Sequence, residues 1–127
     1  MRGAALVLAM LAACSPIEPP VVEGSPLPDT SDTRGPYPVA ARVRTRRDLR
    51  IVELVWHNAA VSAGQAVRVR MERDDAGAWR AGIPGQGPGA VVAYHVEAED
   101  SEGDRGYDPP DSERVARCGA EYCFTVR

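Results

Sequence analysis

From Tyr37 onward, apolar and polar residues alternate with a period of two, and only an extended strand turns that alternation into one apolar face. Val39, Ala41 and Val43 alternate with Ala40, Arg42 and Arg44; Val52, Leu54 and Trp56 alternate with Glu53, Val55 and His57. Val67, Val69 and Met71 enclose Arg68 and Arg70, and Trp79 to Ile83 is a further short run. Val92, Tyr94, Val96 and Ala98 alternate with Ala93, His95, Glu97 and Glu99, and Tyr122, Phe124 and Val126 close the set. The breaks are turn-rich: Asp74-Asp75-Ala76-Gly77, Pro84-Gly85-Gln86-Gly87-Pro88-Gly89 and Asp100-Ser101-Glu102-Gly103-Asp104. Six runs punctuated in this way predict an all-β, antiparallel sandwich of about six or seven strands. No window of 11 or more residues carries a capped 3.6-residue period, so helix should be minimal, with at most one turn at Ser62 to Gln65. The expected inward positions hold both tryptophans, two tyrosines and the only phenylalanine, enough for a modest core.

The N-terminus obeys different rules. Met1-Arg2 is a short positive segment, and Gly3 to Ala13 is an apolar run containing Leu6, Val7, Leu8, Met10 and Leu11. Residues 1–13 thus read as a secretory signal peptide, because the run is about half of the ~20 apolar residues that a spanning helix needs. Leu11-Ala12-Ala13-Cys14 resembles the lipobox of bacterial lipoproteins. That resemblance implies cleavage before Cys14, whose thiol accepts a diacylglyceryl group, and a mature protein carrying two or three acyl chains such as palmitate. Each buried CH₂ is worth about 0.8 kcal/mol, so several chains anchor permanently where one is marginal. The alternative is an ordinary signal peptide cut at a nearby Ala-x-Ala-like site, with Cys14 incidental. Ser15, and not an aspartate, follows the cysteine, which favours a cell-envelope location at the outer membrane.

Seven prolines fall between Ser15 and Pro38: Pro16, Pro19, Pro20, Pro26, Pro28, Pro36 and Pro38. Proline removes backbone donors and favours polyproline II, so residues 14–36 are expected to be the lipidated cysteine and a disordered linker, on the order of 70 Å if fully extended over the 24-residue stretch. The polar run Asp29-Thr30-Ser31-Asp32-Thr33 has no hydrophobic period and is expected to be mobile. The alternative is an edge strand at Val21-Val22 or a docked Leu27, since edge strands tolerate flanking proline.

Residues 37–127 are left for one domain, the usual outcome at a chain length of 127 residues. The net charge of −3 becomes −4 once Arg2 is removed, and all 15 positive side chains are arginine; this balance suggests no nucleic-acid partner. Gly35-Pro36-Tyr37, Val52-x-Leu54-x-Trp56, Trp79-x-Ala81-x-Ile83-Pro84-Gly85, Gly89-x-Val91-Val92-x-Tyr94-x-Val96-x-Ala98-x-Asp100 and Tyr122-x-Phe124-x-Val126 resemble the immunoglobulin-like, fibronectin-type-III-like domains of secreted bacterial proteins. Such domains commonly serve as spacers or binding modules appended to exported enzymes, and no attached enzyme is expected here.

Few residues suggest chemistry. Cys118 and Cys123 enclose Gly119-Ala120-Glu121-Tyr122, a spacing that lets two β-carbons meet across a tight turn, and an exported location permits the disulfide. A small loop gains on the order of 2 kcal/mol from such a bridge. Asp100, Glu102 and Asp104 are a weak candidate for Ca²⁺, which takes six to eight oxygen ligands, but they lack EF-hand spacing and also suit a solvated turn. Arg42, Arg44, Arg68 and Arg70 could form a basic stripe or pair across strands with Glu53, Glu97 or Glu99. His57 and His95 are the only histidines, with no Cys-x-x-Cys or His-Glu-x-x-His spacing for zinc. No Gly-x-Ser-x-Gly elbow is present.

The expectation is a non-enzymatic, cofactor-free, membrane-anchored interaction or structural module. Its partners are the bilayer, through the acyl anchor, and an unidentified envelope or extracellular protein or glycan. An accessory subunit of an exported hydrolase and a calcium-dependent adhesive protein are the alternatives.

Overall fold

The computed structural model describes residues 18–60, 65–110 and 121–127. Among them the chain forms nine strands and no helix: β1 Val21–Gly24, β2 Tyr37–Arg44, β3 Leu49–Asn58, β4 Val67–Arg70, β5 Glu72–Arg73, β6 Trp79–Ile83, β7 Val91–Asp100, β8 Arg105–Asp108 and β9 Tyr122–Thr125. One antiparallel sheet has the order β1-β2-β6-β5 and the other β4-β3-β7-β8, with β9 pairing the first half of β7 while β8 pairs the second. The architecture is an all-β sandwich, consistent with an immunoglobulin-like domain, and among the described residues it has about nine strands instead of six or seven. The residues 62–65 proposed for a helical turn lie largely outside the described residues.

The alternating runs form the two inner faces. Val22, Tyr37, Val39, Ala41 and Ile83 come from one sheet and Val52, Leu54, Val92, Tyr94, Val96, Ala98 and Phe124 from the other, all buried in one cluster. Phe124 is clasped between the sheets: its ring centroid is 5.2 Å from that of Tyr37 at 75° and 6.1 Å from that of Tyr94 at 65°, the edge-to-face arrangement that aromatic quadrupoles favour. Residues 67–71 depart from the expected single strand. Val67, opposite Trp56 on the edge strand β4, is 44% exposed. Met71 is buried where the chain crosses from β4 to β5 in the opposite sheet, and its amide donates to the Val52 carbonyl at 2.8 Å.

Residues 18–36 are not a free linker. β1 pairs antiparallel with β2, placing Val21 opposite Arg44 and Gly24 opposite Ala41, and buries Val22. Leu27 packs against the core, and its amide donates to the Tyr94 hydroxyl at 2.8 Å. Thr30 makes a parallel bridge to Val126, donating to the Thr125 carbonyl at 3.0 Å and accepting from the Arg127 amide at 2.8 Å. Asp29 accepts from the Thr125 amide at 2.8 Å, and the Asp32 carbonyl accepts from the Tyr37 hydroxyl at 2.7 Å. The polar run expected to be mobile instead completes the backbone pairing at one end of the sandwich, and Pro26, Pro28 and Pro36 take exposed positions along it. Two glycines admit this segment. A β-carbon on Gly106 would lie 1.8 Å from the Pro20 carbonyl oxygen, and one on Gly85 would lie 2.3 Å from that of Arg34.

Candidate functional site

Directly opposite residues of an antiparallel pair share a face, so the register of the five-stranded sheet dictates what its outer surface carries. β3 contributes Glu53, Val55 and His57; β7 contributes Ala93, His95, Glu97 and Glu99; β4 adds Arg68 and Arg70; β8 adds Arg105 and Tyr107; β9 adds Cys123. The polar members are bonded into a ladder. Glu121 Oε2 lies 3.7 Å from His57 Nδ1 and 3.4 Å from His95 Nδ1, and His95 Nε2 lies 3.1 Å from Glu97 Oε1. Glu97 Oε2 accepts from Arg68 at 2.7 Å, and the same guanidinium nitrogen lies 3.4 Å from Glu53 Oε1. Glu99 continues the ladder by accepting from Arg50 and Arg105, each at 3.0 Å. The Tyr107 ring lies beside His95 at a centroid distance of 6.3 Å.

Burial opposes ionisation of Glu97, but the hydrogen bonds from Arg68 and His95 outweigh it and hold this carboxyl below its ordinary range. The same bond raises the Arg68 guanidinium. Cross-strand pairing of Arg68 with Glu53 and Glu97 is therefore what forms. No common basic stripe exists, because Arg42 and Arg44 lie on the other sheet, where Arg44 pairs with Glu23 at 2.6 Å and Arg42 donates to the Ala76 carbonyl at 3.1 Å.

The 100–104 turn uses its acids on itself. Asp100, 1% exposed, accepts from the amides of Glu102 and Asp104 at 2.9 and 3.0 Å through Oδ1, while Oδ2 lies 3.5 Å from Arg47. Asp104 accepts from Arg47 at 2.7 Å. Of the three residues considered for Ca²⁺, two thus hold a guanidinium, and among the described residues no group of three or more histidine, cysteine or acidic side chains is arranged to hold a metal ion. The downstream acid Asp108 faces the other way, into the seam between the sheets, where the Tyr122 hydroxyl donates to it at 2.6 Å.

Cys123 is half-buried on β9 opposite Ala93. No disulfide joins it to any described residue; its expected partner Cys118 lies outside the described residues, as do Cys14 and the whole leader. What sequence reasoning missed is the meeting of His57 and His95 around Glu121, 26 residues beyond His95. The available signal was Glu53 and His57 on β3 and His95, Glu97 and Glu99 on β7, all at positions opposite the inward apolar set, with Val55 and Ala93 interrupting them. Chemically the ladder is a sheet surface of alternating donors and acceptors whose charges face one another. No protein-family model matches this chain, and no curated protein matches it either.

Proposed function

We propose that this chain is an envelope lipoprotein, anchored through acyl chains on Cys14, that presents a non-catalytic, fibronectin-type-III-like sandwich to a protein or glycan partner at the outer membrane. The anchor reading rests on the Leu11-Ala12-Ala13-Cys14 motif. The interaction reading is carried by the outer face of the five-stranded sheet, where both histidines lie within 3.7 Å of a shared glutamate and Glu97 bonds to His95 and Arg68. Groups paired in this way across a sheet offer a patterned polar surface, and such surfaces give specificity and encounter rate more than raw affinity. A Cys118–Cys123 disulfide at the margin of this face is part of the proposal, and a mass two hydrogens below that of the reduced protein is its expected signature.

Crosslinking in intact envelopes, followed by capture of the chain, tests the face, with Arg70→Glu and Tyr107→Ala as the altered forms. The wild type should capture one specific partner, and the altered forms should lose it while remaining folded and acylated. Capture of the same partner by both altered forms would rule out this face. Processing of wild-type protein at any residue other than Cys14 would rule out the anchor.

A further inference from the structure

The N-terminal strand changes how far the domain stands from its anchor. We infer that the end of the sandwich carrying the β2–β3 and β7–β8 turns rests on the phospholipid headgroups, with Arg46 presented to their phosphates; this rests on acylation of Cys14 as proposed above. Val21 pairs with Arg44 at the start of β1, and Glu18, Pro19 and Val21 line one groove with Arg44, Thr45 and Arg46. The chain therefore enters the fold at this end. Only four Cα steps separate Cys14 from Glu18, a reach of at most about 14 Å even when fully extended. The headgroup layer of one leaflet is itself about 5–8 Å thick. A body entered at this point cannot be lifted clear of the surface by a long spacer, because most of the proline-rich stretch is laid along the sandwich.

The two turns meet at that end. The Ser101 amide donates to the Asp48 carbonyl at 2.8 Å, and Arg47 bridges to Asp104. Arg44 is paired with Glu23, Arg47 with Asp104 and Arg50 with Glu99. Arg46 is exposed, and among the described residues no hydrogen-bond or ion-pair partner is found for it. Guanidinium recognises phosphate through paired N–H donors. Asp48 and Glu102 stand on the same two turns, so the attraction is to individual phosphates and not to the net potential of an acidic membrane, and zwitterionic lipid suffices.

The test uses acylated full-length protein in nanodiscs of zwitterionic phospholipid carrying a trace of headgroup-chelated gadolinium, read by amide signal loss. Signals of residues 45–48 and 101–104 should be broadened several-fold more than those of residues 86–89, which lie in the turn at the opposite end, and Arg46→Glu should reduce that contrast. Equal broadening at both ends, or stronger broadening at 86–89, in protein whose acylation mass spectrometry verifies would overturn the inference and leave the anchor standing. Absence of acyl chains on Cys14 would overturn both. An unchanged contrast in the Arg46→Glu form would remove the phosphate contact.

Discussion

Glu53 and Glu97 stand directly opposite one another across β3 and β7, an arrangement that like charges ordinarily make unfavourable. Arg68 resolves it by reaching both carboxylates. Arg68→Met should therefore cost about 1–3 kcal/mol of unfolding free energy, the usual range for stranding a hydrogen-bonded charged group. In a Glu97→Gln background the same change should cost clearly less, because the repulsion is gone; equilibrium urea unfolding of the four forms measures the difference. Acid should act on the same pair. The Glu97 carboxyl is held below its unfolded value by Arg68 and His95 against the opposing effect of burial, so its stabilisation is fully present above the unfolded value of about 4.3 and is lost as pH falls through the lower folded value. The urea midpoint should drop across that acid window, and Glu97→Gln should flatten the drop.

At the level of elements, β1 and β8 form the seam on one side of the sandwich, with the Pro20 carbonyl packed onto Gly106. Gly106→Val should push residues 18–24 off the domain, and faster hydrogen exchange at Val22 and Leu27 would report it. Tyr94 secures the next stretch by accepting from the Leu27 amide. Tyr94→Phe leaves that donor unpaired and should cost about 1–3 kcal/mol. Burial pushes the Tyr94 phenol up to about 12, against the lowering effect of the Leu27 amide and with a further push from Asp108. Its contribution is thus complete below the ordinary phenol value of about 10 and is lost as pH rises toward the folded one; an ultraviolet titration should show one late tyrosine that Tyr94→Phe removes. The strands legible in the sequence are β2, β3, β6, β7 and β9, with β4 inside the run 67–71; β2, β3 and β7 are long enough for a period of two to declare itself most clearly. β8 was hidden because its inward positions are Gly106 and Asp108, a close backbone approach and a buried acid, where an apolar alternation would be sought. β1 stood only as the alternative to a linker, because prolines flank Val21-Val22, and β5 has only two residues. The histidine–glutamate ladder is a product of register between distant strands, which no local spacing encodes.

For the whole molecule, the described strands and the absence of helix among them predict a far-ultraviolet circular dichroism spectrum dominated by sheet. A helix content above about a quarter in protein lacking residues 1–17 would contradict the fold, given that ordinary domains average about a third. The bridge between Thr30 and Val126 also has a consequence in time. A chain made N-terminus first delivers residues 18–36 long before β9, yet the backbone of Thr30 pairs with the chain at residues 125–127. Pairings this remote in sequence close late and slowly. Val22 and Leu27 emerge before the partners that bury them, so an arrested or truncated chain would remain open where a holding chaperone or a protease engages it. Completion of the last strand is then the event that ends its exposure to quality control.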